Sequence, residues 1–69
     1  MLSDAEVTAY CRMLVSARSM KQREVALDAL VLYLSDTGQL RSGLTHAEQD
    51  REAFAFASRR IEEEDTAGR

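Results

Sequence analysis

No proline interrupts this chain of 69 residues, and its three glycines stand at 38, 43 and 68. Everything before residue 38 lacks a strong backbone breaker, so only capping chemistry can mark where a helix starts or stops there. Ser3 with Glu6 and Thr45 with Glu48 are capping boxes, in which a hydroxyl and a carboxylate three residues apart satisfy each other's orphan backbone N–H groups. Ser19 with Gln22 is a weaker third. No period-two run of apolar residues suggests a strand. The chain therefore reads as one all-α domain, a helical hairpin or three-helix module, with helices at about 4–17, 20–36 and 46–64 and a fraying tail over 65–69. Whether Ser16 to Met20 is a break or a bend in one long helix stays open, because no residue there forces a turn. Gly38, after Asp36 and Thr37, is placed to end the second helix in a left-handed cap, and Leu40 and Leu44 in the connector 37–44 are expected to pack back on the helices.

A chain this short buries only a marginal core, and natural chains of its size usually add a disulfide, a metal or a second chain. Cys11 is the only cysteine and His46 the only histidine, so neither an internal disulfide nor a structural zinc site can be built from them. Self-association is the remaining route. The helix pattern favours it. Leu27, Leu30, Val31 and Leu34 form one apolar stripe, while Val25, Ala29, Leu32 and Tyr33 cover much of the remaining circumference. Such a helix needs cover on several sides, since burying each Leu or Val is worth about 1.5–3 kcal/mol. In the third helix Phe54 and Phe56 project about 200° apart and cannot share one face. Ala47, Phe54, Ala57 and Ile61 make the more regular inward stripe, leaving Phe56 either for a second surface or tucked under the first helix. The expectation is a homodimer with the second and third helices in the interface, through Leu27, Leu30, Leu34 and Phe56.

The chemistry-bearing residues point away from catalysis. Cys11 falls on the apolar face of the first helix, with Val7, Tyr10 and Leu14, where cysteine behaves as a small hydrophobe. His46 follows a helix cap, whose positive end disfavours the imidazolium. Glu48, Asp50 and Glu52 fill the first turns of a helix, where its dipole favours acids. The Gly38 to Gly43 spacing matches no phosphate-binding loop. No catalytic, cofactor or metal residues are assigned. Net charge is −3, and the acidic run Glu62, Glu63, Glu64, Asp65 reads as a solvated tail. Arg18, Lys21 and Arg23 cluster at the junction of the first two helices. A DNA-reading helix would carry such residues, but the best candidate here is too apolar and the whole chain too acidic. These three with Tyr33 are instead expected to form the rim that grips a partner protein, where arginine and tyrosine are common anchors. A small DNA-binding regulator or antitoxin-like repressor is the alternative, and a structural subunit of a larger assembly a third. The longest dense apolar stretch, Val25 to Leu34, is about half the length needed to span a bilayer. The opening Met1-Leu2-Ser3-Asp4 lacks the pattern of a secretory signal, so a cytoplasmic location is expected.

The stretch from Glu24-Val25-Ala26-Leu27 through the Gly38–Gly43 connector into Thr45-His46-Ala47-Glu48 resembles small bacteriophage-encoded anti-activators. The resemblance spans nearly the whole chain but contains no diagnostic motif. It implies a dimeric helical inhibitor in the bacterial cytoplasm, needing no cofactor, that binds a host LuxR-type quorum-sensing activator and blocks its DNA binding. It further implies a second host target, the ATPase that drives pilus assembly.

Overall fold

The computed structural model describes residues 2–67 and consists of three helices: α1 (Asp4–Val15), α2 (Met20–Asp36) and α3 (His46–Ala67). The caps set these limits. At α1 the Ser3 hydroxyl accepts from the Glu6 backbone N–H (3.2 Å), and the Glu6 carboxylate accepts from the Ser3 N–H (3.0 Å). Thr45 and Glu48 repeat the arrangement at the start of α3, at 3.2 and 3.0 Å. Both carboxyls are held below the usual glutamate range, foremost by the N–H bonds they accept.

The stretch between α1 and α2 is a true break. The chain leaves α1 at Ser16, whose hydroxyl donates back to the Arg12 carbonyl at 2.7 Å, two residues earlier than the sequence pattern suggests. It re-enters helix at Ser19, whose hydroxyl accepts from the Gln22 N–H. Gln22 closes the cap one residue upstream of the expected position, accepting from the Arg18 N–H at 3.1 Å. At the end of α2, Gly38 adopts φ +72° and donates to the Ser35 carbonyl, while the Gln39 N–H donates to the Leu34 carbonyl at 2.9 Å. These two bonds make a Schellman cap, and Leu40 folds back against the core behind it. Helix α3 outlasts its expected end at 64 and takes in Asp65 to Ala67; Gly68 and Arg69 lie outside the described residues.

The core is built unevenly. Val7, Cys11 and Leu14 come from α1, and Ala26, Leu27, Leu30 and Leu34 from α2, while α3 adds only Ala53 and Ala57. Helix α1 packs on both other helices, and α2 meets α3 least. Two ion pairs tie α3 to α1: Arg12 with Glu64 at 3.3 Å, and Arg60 with Asp4.

This packing keeps Ala57 and Ile61 of the expected stripe against the core but turns Ala47 and Phe54 away from it. Ala53, Ala57, Arg60 and Glu64 recur at spacings of four, three and four, which places them along one side of the helix. Alanines there allow the backbones of α1 and α3 to approach closely, and Arg60 and Glu64 find opposite charges on α1. Phe56 is drawn in at the edge of this face, whereas Phe54 is left 42% exposed and Ala47 is exposed. The expected roles of the two phenylalanines are therefore exchanged. Glu64, half-buried and paired, is likewise a clasp between helices rather than part of a solvated tail.

Candidate functional site: two exposed apolar faces

Leu27, Leu30 and Leu34 are 6%, 0% and 3% exposed within a single chain. They are taken up by the core of their own chain and offer almost no surface to a second copy. Phe56 packs on the edge of the same core, 6.3 Å from Tyr33 between ring centroids, and keeps part of its surface open.

Apart from Met13 on α1, 36% exposed, the large apolar side chains that do remain open fall into two places. The first is the outer side of α2, where Val25 is 47% and Leu32 63% exposed. Seven residues apart, they share one stripe with half-buried Ala29 between them. Lys21 and Asp36, both exposed, lie at the two ends of this stripe.

The second place is the α1–α2 junction, where Val15 (43%), Met20 (77%) and Phe54 (42%) are exposed together. Val15 and Met20 flank the break itself, and Phe54 reaches the same groove from α3. Arg18 and Arg23 line this groove too. A second groove continues past Phe54 along Ala47, Asp50, Arg51 and Ala55, with Arg23 again on its wall. Phe54 and Arg23 thus stand between two adjoining grooves, ringed by Arg18 and Arg51. Among the described residues neither Arg18, Arg23 nor Arg51 makes an ion pair; the paired arginines are Arg12, Arg41 and Arg60.

Of the four expected partner-binding residues, the structure brings two together. Arg18 and Arg23 share the junction groove. Lys21 lines neither groove, since one position beyond Met20 it is turned about 100° around the helix. Tyr33 is half-buried beside Phe56 and lines a separate recess with Leu2, Ala29 and Leu32 near the other end of α2. The residues missed were Val15, Met20, Phe54 and Arg51. Their signal was faint: Val15 and Met20 bracket Arg18, and Phe54 is three residues from Arg51, but only the folded chain joins these segments.

Nothing in the two faces assembles reactive groups. Cys11 has no exposed surface, and burial pushes its thiol above the usual cysteine range despite the opposing charge of Arg60. Among the described residues no three His, Cys, Asp or Glu side chains converge in a way that could hold a metal ion, and no helix is long and apolar enough to cross a membrane.

Fold and surface together define an all-α three-helix module with an apolar, arginine-rimmed groove. Comparison with protein families, curated proteins and solved structures finds no match to this chain.

Proposed function

We propose that this chain is a non-catalytic inhibitor that works by docking on another protein, as a homodimer in the cytoplasm of a bacterial host. One observation carries the docking role: three large apolar side chains, Val15, Met20 and Phe54, gather in the open within a ring of unpaired arginines. Grouped exposed apolar side chains bordered by polar ones mark interaction sites, and arginine beside an aromatic ring is a frequent hot-spot composition.

The target proposed from the anti-activator resemblance is the DNA-binding region of a LuxR-type activator. Any such region is basic, because phosphate contacts dominate affinity for DNA. A chain of net charge −3 is drawn toward it at long range, its acidic surface facing the basic region, while the arginine-ringed groove grips a neighbouring part of the activator. A gel-shift assay with a purified LuxR-type activator on its operator DNA tests this. Added wild-type chain should release the DNA, and Phe54→Glu should not. Undiminished DNA occupancy at saturating chain would discard the regulator as target, and salt-sensitive binding of the chain alone to random duplex DNA would favour a DNA-binding role. Inhibition of the pilus-assembly ATPase is tested by adding the chain to its turnover assay.

The homodimer reading rests on the outer stripe of α2. If two copies cross antiparallel about the midpoint between Asp28 and Ala29, residues whose numbers sum to 57 oppose each other. Val25 then meets Leu32 of the partner subunit, and Lys21 meets Asp36 of the partner subunit. Both apolar side chains gain cover, and the flanking charges are complementary. This face lies on the opposite side of α2 from Arg23, so dimerisation leaves the junction groove open.

A further inference from the structure

Among the exposed features of the molecule, the junction groove has the most distinct chemistry. The chain as a whole is acidic, yet of the charged side chains lining its two adjoining grooves three are arginines and one is a carboxylate, Asp50. Of the other acids facing solvent on α3, Glu52 lines neither groove and is paired with Arg41 at 3.6 Å, and Glu62, Glu63 and Asp65 sit two to three turns further along that helix. Arginine and exposed apolar surface thus occur together in this groove, on a chain that is acidic overall.

Resting on the docking role above, we propose that the Val15–Met20–Phe54 groove takes an acidic amphipathic helix of its partner protein. Two features favour this occupant, and two other occupants fit less well. Phe54 divides the groove into two adjoining depressions, one beside Val15 and Met20 and the other beside Ala47 and Ala55. An amphipathic helix inserts its anchors at i, i+3 or i+4, and i+7 into such paired depressions. The guanidinium groups of Arg18, Arg23 and Arg51 border the depressions, where carboxylates flanking the anchors would meet them in charge-assisted, bidentate geometry. An extended peptide would look for a sheet edge, and the described residues contain none. Duplex DNA would satisfy the arginines but offers little apolar surface to Val15, Met20 and Phe54, and the net charge of the chain opposes it.

The selectivity of the groove can be read without knowing the partner. A library of random peptides about four helical turns long, displayed and panned against the full chain, should return sequences of net negative charge with apolar residues at helical spacing. A selected peptide, made synthetically, should bind wild-type chain and lose about tenfold or more in affinity against Phe54→Glu and against the double variant Arg18→Glu/Arg23→Glu. Raising the salt should weaken it as well. Circular dichroism of each variant separates lost binding from lost helix, and Arg41→Glu, outside the grooves, should leave binding intact. Basic or neutral selected peptides, an empty selection, binding that survives both variants, or displacement of the peptide by random duplex DNA would each overturn the proposal. Neutral peptides that still depend on Phe54 would overturn the acidic occupant while leaving the docking role standing. Acidic peptides that bind, alongside an activator that keeps its DNA, would overturn only the choice of target.

Discussion

The guanidinium carbon of Arg60 lies 6.0 Å from the centre of the Phe56 ring, while the same guanidinium pairs with Asp4. One side chain therefore both covers an aromatic ring on its own helix and bonds across to the first turn of α1. Arg60 keeps only 23% of its side-chain surface, so its stem contributes packing as well as charge.

That double role makes Arg60 a stability residue. Replacing it with Gln should cost about 1 kcal/mol, combining a cation–π contact with an ion pair to an exposed carboxylate. Asp4→Asn should cost less, because it removes the pair alone. Urea unfolding of the three proteins side by side checks the order.

The exchange of the two phenylalanines predicts opposite behaviours. Phe56→Ala should destabilise the fold by about 2 kcal/mol, less than a fully buried phenylalanine, since Phe56 is half-buried. Phe54→Ala should change stability by under about 1 kcal/mol and act on partner binding instead. Equal loss of thermal stability in both variants would contradict the packing described for α3.

Self-association should be sensitive to the outer side of α2. Light scattering at micromolar concentration should give a dimer for the wild-type chain and a monomer for Val25→Glu/Leu32→Glu. The same substitutions should leave the helical circular-dichroism signal intact. A monomeric wild-type chain, or a dimer unaffected by both charges, would remove this face from consideration.

Acid should loosen the chain through its two capping boxes. Glu6 and Glu48 have folded-state pKa values lowered by the N–H groups of Ser3 and Thr45. Stabilisation from a depressed carboxyl is fully present above its unfolded pKa and is lost as pH falls through the folded value. Thermal midpoints should therefore be flat near neutrality and decline once pH drops below the ordinary glutamate range. In Glu6→Gln/Glu48→Gln the decline should be shallower.

The Schellman cap predicts the effect of filling a glycine. A Cβ on Gly38 would meet nothing within 4 Å, so its cost is conformational alone. At φ +72°, Gly38→Ala should destabilise by about 1 kcal/mol. Chemical denaturation measures this directly.

Much of the fold was legible because it rests on local chemistry. The boxes at Ser3 and Thr45 and the glycine at 38 act over three to five residues, and each stands where the pattern placed it. Even the break after Ser16 follows from Ser19 and Gln22, although the cap closes on Arg18 rather than Ser19. The rotation of α3 was less legible. Periodicity placed Ala57 and Ile61 on the inward face but chose Phe54 over Phe56, whereas the real face is set as well by Ala53 and by Arg60 and Glu64 pairing with residues more than fifty positions away. The site was legible only in part for the same reason. Arg18 and Arg23 are neighbours along the chain, but the phenylalanine that joins them arrives from another helix.

The thin contribution of α3 to the core has a consequence for how the protein closes and opens. Residues 4–36 supply all the large buried side chains, so α1 can pair with α2 before α3 docks. The core is closed only when Ala53 and Ala57 dock and Arg60 and Glu64 reach Asp4 and Arg12. An opening of α3 alone would thus uncover the core while leaving the large buried side chains of α1 and α2 together, the kind of transient exposure from which aggregation starts.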